Sequence, residues 1–173
     1  TNLEISLNKE VLAIALKNKP NFICLVPENR KEITTEGGLN LSKNKHIIKK
    51  IILKFKKKKI RTSLFIDPKL KDIKVAKDLN VDCVELHTGK ISNLIKQKRS
   101  FILEYKKIKR CCEFANKIGL EVHAGHGLDY KSTKILTKIK EIKEFNIGHF
   151  IIGESIFYGF KKVIKKLKKI SNS

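Results

Sequence analysis

The amino-acid sequence predicts an α/β protein of the (β/α)8 TIM-barrel class, with about six of the eight β/α units present. Short β-branched runs alternate with longer amphipathic runs from end to end, the pattern of repeated β/α units around a parallel sheet. Polar residues gather just after the C-terminal ends of nearly every strand-like run: Glu28 and Thr34, Asp67, His87-Thr88, His126, and Gly153-Glu154. A barrel whose site is assembled from its βα loops shows that distribution, which favours it over an open doubly wound sheet. No low-complexity linker or shift in composition divides the chain, so residues 1–173 read as a single incomplete barrel domain. A whole barrel takes about 250 residues and sometimes about 200, which leaves this chain about two units short.

The elements follow in order. A first strand is expected over 2–7 and a helix over 9–19. A second strand over 22–26 runs into a long loop, 27–41, containing Thr34-Thr35-Glu36-Gly37-Gly38, and then a helix over 42–57. The third strand, 62–66, ends at Asp67-Pro68, read as an N-cap followed by proline at the first helical position of a helix reaching 79. The fourth strand is 83–87, and 91–118 reads as one helix closed by Gly119. The fifth strand is 120–124, with a helix over 132–143. A sixth strand is expected at 150–152, ahead of a final helix over 155–170.

Composition narrows the function. With 39 Lys+Arg against 17 Asp+Glu, the formal charge is +22, which raises nucleic-acid binding as a hypothesis. Only four of the basic residues are arginine (Arg30, Arg61, Arg99, Arg110), the residue that reads bases and grips phosphates bidentately. The lysines fall on presumed outer faces of helices, so a solvated surface is the preferred reading. A globular composition of 41% hydrophobic and 32% charged residues excludes general disorder. No apolar run approaches the roughly 20 residues that cross a bilayer. The chain has no methionine, so Thr1 reads as a processing site or the start of a fragment. Four cysteines without a C-x-x-C pair give no zinc or redox signature and suit a reducing cytoplasm. Cys24 and Cys83 lie in strand-like runs as small hydrophobes, and the neighbours Cys111 and Cys112 diverge on a helix.

Four segments carry candidate chemistry. Glu4 sits mid-strand in Leu3-Glu4-Ile5, where burial would raise its pKa toward the range of general acid/base work. Glu85, in Val84-Glu85-Leu86-His87-Thr88-Gly89, repeats the situation on another strand. In Val122-His123-Ala124-Gly125-His126-Gly127-Leu128, His126 stands between glycines that permit close backbone approach to a ligand. His123 and His126, three apart, form no recognisable metal site without a third ligand. Ile147-Gly148-His149-Phe150-Ile151-Ile152-Gly153 pairs with the preceding glycine loop at the place where β/α barrels hold a phosphate. His46 reads as surface.

These residues resemble the pyridoxine 5'-phosphate synthase family, the ring-closing enzymes of one vitamin B6 biosynthetic route. The resemblance runs through the whole chain, on Asn2-Leu3-Glu4, Lys19-Pro20, Leu25-Val26-Pro27-Glu28 with Arg30 and Glu32, Thr34 to Leu39, Ser63 to Asp67, Glu85 to Gly89, Ala124 to Leu128 and Asn146 to Gly153. It implies condensation of 3-amino-2-oxopropyl phosphate with 1-deoxy-D-xylulose 5-phosphate to pyridoxine 5'-phosphate, phosphate and water, with no organic cofactor and no metal. By motif, Glu4 resembles a general acid/base, His126 a proton donor and Glu85 a charge-stabilising group. Thr34, Gly127, Gly148 and His149 resemble substrate and phosphate contacts. The resemblance also implies a symmetric homo-oligomer, usually an octamer. Family members carry two further β/α units before Glu4, with an Asp-His pair and a histidine/arginine cluster, so the 173 residues alone are expected to be inactive. The alternatives are another phosphate-binding barrel enzyme and, from a different class, a basic nucleic-acid-binding module.

Overall fold

The structure is a computed structural model, which describes residues 1–27 and 37–171. Six strands form one parallel sheet: β1 (Asn2–Ile5), β2 (Phe22–Leu25), β3 (Arg61–Ile66), β4 (Cys83–His87), β5 (Glu121–Gly125) and β6 (Ile142–Asn146). Their spatial order is the order of the sequence, without the reversal of a doubly wound sheet. The connecting helices are α1 (Lys9–Asn18), α2 (Leu41–Lys57), α3 (Leu70–Asp78), α4 (Gly89–Lys96), α5 (Ile102–Lys117), α6 (Tyr130–Leu136), α7 (His149–Tyr158) and α8 (Phe160–Ser171). The sheet curls into a half-barrel. Asn2 Nδ2 on β1 lies 3.5 Å from Glu144 Oε1 on β6, although those two strands share no ladder.

Alternation along each strand sorts the side chains onto two faces. Ile5, Ile23, Leu25, Leu64, Ile66, Val84, Leu86, Val122 and Ala124 pack outward with helical residues such as Ile48, Ile52, Phe55, Ile73, Ala76, Ile91 and Ile108 in one continuous core. The alternate positions Cys24, Ser63, Phe65, Cys83, Glu85 and His123 point into the barrel, so its interior is unusually polar. At the N-terminal end of the strands Arg61 pairs with Glu121 at 3.1 Å and caps the Phe22 ring, while His123 Nε2 lies 2.9 Å from Glu121.

Local chemistry explains the helices. The Asn8 side chain accepts the Glu10 N–H at 2.9 Å to start α1, and Asn40 accepts that of Lys43 at 3.1 Å to start α2. On α2 the buried residues Leu41, Ile48, Ile51, Ile52 and Phe55 recur at helical spacing and leave the lysines outside. Asp129 and Ser132 form a reciprocal capping box at α6. As expected, Gly119 terminates α5. With φ of 73° its N–H bonds Asn116 and the next N–H bonds Ala115, a Schellman closure.

The structure corrects several expected elements. Residues 150–152 are not a strand; they lie in α7, and the sixth strand is Ile142–Asn146. The apolar spacing of Leu136, Ile139 and Ile142 imitates a helix, but after Leu136 the chain proceeds by tight turns, Ile139 N–H to Leu136 and Ile142 N–H to Ile139. The charged side chains of β6, Lys143 and Glu144, are exposed. The long helix over 91–118 is two helices, broken after Lys96, with Lys98 in the left-handed region at φ 54°. Buried Glu104 ties them together, 2.9 Å from Lys90 of α4 and 3.4 Å from Lys107 of α5. Asp67 does not cap α3; it accepts the Gly38 N–H at 3.0 Å and pairs with Lys69, and α3 begins at Leu70. The first strand stops at Ile5.

All four cysteines are buried and free. Burial pushes the Cys24 thiol well up, and takes that of Cys83 to about 12, so both are unreactive at neutral pH. Among the described residues no helix is long and apolar enough to cross a membrane. Ile152, Ile156, Phe157, Tyr158 and Phe160 leave an exposed apolar face along α7 and the start of α8.

Candidate active site

A cavity of about 710 Å³ opens at the C-terminal ends of the strands. Of the seven residues selected from sequence, Glu4, Glu85, His126, Gly127, Gly148 and His149 all line it. Thr34, like Glu28, Arg30 and Glu32, lies outside the described residues. The parallel sheet explains the convergence. Residues separated by more than a hundred positions arrive at one mouth because every strand ends there.

The β4–α4 and β5–α6 loops interlock. Thr88 Oγ1 lies 2.7 Å from the carbonyl oxygens of both Gly125 and His126, donating to one at a time, and the Thr88 N–H bonds Gly125 at 2.8 Å. This holds His126 at φ 81°, a region uncommon for residues other than glycine. Gly89 is required beside it, because a Cβ there would stand 2.9 Å from His126 Cδ2 and 2.9 Å from His87 Nε2. The His87 and His126 rings are 4.9 Å apart, and Phe65 meets each of them edge-on. Burial, reinforced by the positive charge of Lys96 and then of His149, lowers the His126 pKa, which makes its imidazolium form a stronger acid.

Glu85 projects from β4 into the barrel, 4% exposed. Burial pushes its carboxyl up to about 7, with the charge of Glu4 adding to the rise and the Asn146 hydrogen bond opposing it. A group poised there carries either protonation state at physiological pH. Glu4, on β1, is exposed and lines the same cavity.

His123 does not join His126. It is buried at the other end of the barrel, Nε2 on Glu121, Nδ1 3.7 Å from Glu144, with Cys83 Sγ 4.0 Å away. Among the described residues no group of three or more His, Cys, Asp or Glu side chains could hold a metal ion. His46 is exposed on α2.

The cavity also contains residues the sequence reading did not select: Phe65, Asn93, Lys96, Asn146 and Phe150. Asn93 and Lys96 lie three apart on α4, which starts directly after the β4 loop. A helix read as continuous to 118 hides that short element. Asn146 was visible only within a longer motif and lay outside the strand expected at 150–152. Gly148 is the N-cap of α7, and this ten-residue helix begins at the cavity, with Gly148, His149 and Phe150 in its lining.

The chain matches the family model described as pyridoxal phosphate biosynthesis protein PdxJ over residues 1–173. Among curated relatives it is 72% identical to the pyridoxine 5'-phosphate synthase of Pelagibacter ubique (strain HTCC1062), covering 99% of this chain and 72% of the relative. It is 42% identical to the enzyme of the same name from Blochmanniella floridana, covering 98% of this chain and 68% of the relative. For the one from Zymomonas mobilis the identity is 41%, over 99% of this chain and 66% of the relative. The polar cavity at the strand ends, the interlocked glycine loops and these similarities converge, and the chain belongs to the PdxJ family of pyridoxal phosphate biosynthesis proteins.

Proposed function

We propose that this protein acts as a pyridoxine 5'-phosphate synthase, joining 3-amino-2-oxopropyl phosphate to 1-deoxy-D-xylulose 5-phosphate by acid/base catalysis. The observation that carries the reading is the gathering of Glu4, Glu85 and His126 around one cavity whose rim also offers backbone N–H groups and a lysine. The amine attacks the ketone as a free base, carbinol oxygens leave as water, and carbon acids lose protons before the ring closes. Each step needs a proton carrier within reach. Glu4, exposed to the cavity, exchanges protons with substrate and bulk water as general acid/base. His126, whose lowered pKa favours proton release, donates to a leaving hydroxyl. Glu85 in its ionised form stabilises positive charge developing on the condensing nitrogen. Gly127, Gly148 and His149, with Lys96, hold phosphate where the α7 N-terminus and a positive charge coincide. The reading calls for no organic cofactor.

The test is a pyridoxine phosphate assay with both substrates, on protein expressed from its complete coding sequence. Turnover in that protein, with a loss of about 100-fold or more in kcat for Glu4→Gln, supports the reading. Unchanged turnover in Glu4→Gln removes Glu4 from the chemistry, and no turnover with this substrate pair in the wild type directs the search to another phosphorylated sugar. A homo-oligomer, an octamer by family resemblance, and a cytoplasmic location belong to the same proposal. The first is supported by the apolar face along α7 and the second by four unpaired cysteines. Sedimentation of the protein and fractionation of cells test them.

A further inference from the structure

We propose that Asn146 is a positioning residue, holding the Glu85 carboxylate aimed into the cavity. The inference rests on the proposed role of Glu85. Asn146 Nδ2 donates to Glu85 Oε2 at 2.7 Å, and Cys24 Sγ lies 3.5 Å from the same oxygen. The other oxygen, Oε1, occupies the space that Gly125 leaves. A Cβ on that glycine would overlap Oε1, stand 3.0 Å from the carboxyl carbon and crowd the Asn146 Cβ at 3.2 Å. The carboxylate is therefore fixed from both sides, by donors on one oxygen and by a missing side chain at the other.

A fault in the sheet puts Asn146 there. Along β5 and β6, Val122 pairs with Ile142 but His123 pairs with Glu144, so β6 carries one extra residue. Beyond that bulge Ala124 faces Phe145 and Gly125 faces Asn146. Without it Gly125 would face Phe145, and because side chains alternate at every residue, the phenyl ring would enter the barrel and the amide would turn toward the helices. The bulge keeps Ile142 and Phe145 packed on the core while delivering a neutral hydrogen-bond donor to the deeply buried carboxylate of Glu85.

A neutral donor matters because the charges that bear on Glu85 are those of two carboxylates, Glu4 and Glu144. Glu4 faces it from β1, Cys24 from β2 and Glu144 from β6. His123 stands opposite it on β5, His126 lies above it in the loop, and β3 contributes the apolar Phe65. Burial, Glu4 and Glu144 favour the protonated acid, whereas the hydrogen bonds from Asn146 and Cys24 favour the ion. Asn146 is the stronger of the two donors.

The experiment uses the protein expressed from its complete coding sequence and compares Asn146→Leu, Asn146→Asp and Glu85→Gln. Losing the donor raises the acidic limb of kcat/KM by about one pH unit in Asn146→Leu, giving about a tenfold loss at pH 6 that largely recovers by pH 9. Asn146→Asp, isosteric but without the donor, raises the limb further, and it carries the test should the leucine variant fail to fold. The midpoint of the Glu85 carboxyl infrared band, assigned by its disappearance in Glu85→Gln, moves up in parallel in both variants. A limb and band that stay in place in folded Asn146→Asp overturn the positioning role, even where activity falls equally at all pH values. Full activity in Glu85→Gln overturns the underlying role of Glu85 instead, and the infrared midpoint still decides whether Asn146 controls the carboxyl.

Discussion

Replacing Glu85 by glutamine should stabilise the protein at neutral and alkaline pH. The wild-type carboxyl has its pKa raised from 4.5 to about 7, with burial as the main cause and the charge of Glu4 adding to it. A pKa raised by folding means that the native state binds the proton more tightly than the unfolded chain does. The favourable contribution is complete below the unfolded pKa and is lost as pH rises through the folded one. The affected window is therefore about pH 4.5 to 7, and at about 1.4 kcal/mol per unit the loss amounts to about 3 kcal/mol above it. Glutamine is neutral throughout and keeps an acceptor for Asn146, so it escapes most of that loss. Urea unfolding of both proteins should show Glu85→Gln more stable by about 2–3 kcal/mol at pH 8 and equal within about 0.5 kcal/mol at pH 4.5. In a protein of this size that is a rise of several degrees in Tm at pH 8, about 2–4 °C per kcal/mol. Parallel stability curves for the two proteins across pH 4.5–8 would refute the assignment of a desolvated, titrating carboxylate. A gain in stability with a loss of turnover is the expected signature of a group kept for chemistry rather than for folding.

Two further perturbations probe the same geometry. Gly125→Ala places a methyl against the Glu85 carboxyl and the Asn146 Cβ, in a barrel interior that has no slack on that side. It should lower stability by about 1–3 kcal/mol in denaturant titrations and reduce kcat more than KM. Lys96→Gln removes the positive charge that, after burial, most strongly depresses His126. NMR titration should show the His126 pKa rising toward the ordinary histidine value, and KM for the phosphorylated substrates should rise severalfold with little change in Tm.

Much of the fold was legible because its signals are local. β2 to β5, the amphipathic α2 and the closure at Gly119 follow from alternation, helical spacing and a left-handed glycine, all contained in a few neighbouring residues. The candidate site residues were legible for the same reason, and six of the seven, Glu4, Glu85, His126, Gly127, Gly148 and His149, share one cavity. The errors fall where a local pattern had two solutions. Phe150-Ile151-Ile152 has strand propensity, yet Ile142–Asn146 takes the place beside β5, disguised by its bulge and its charges. The helix after β4 breaks at 97–101, where the sequence carries neither proline nor glycine to mark the break.

The sequence by itself determined the succession of β/α units, and with it the end of the sheet at which Glu4, Glu85, His126 and the glycine loops would collect. Only the tertiary structure decided their electrostatic characters. Glu4 and Glu85 occupy similar apolar strands, yet one is exposed to the cavity and the other is buried in the middle of a curled sheet, 4% exposed. Desolvation depends on what surrounds a side chain in three dimensions, and strand composition does not encode that. The partner of Glu85 was equally hidden, because a one-residue bulge sixty positions away along the chain selects whether Asn146 or Phe145 enters the barrel.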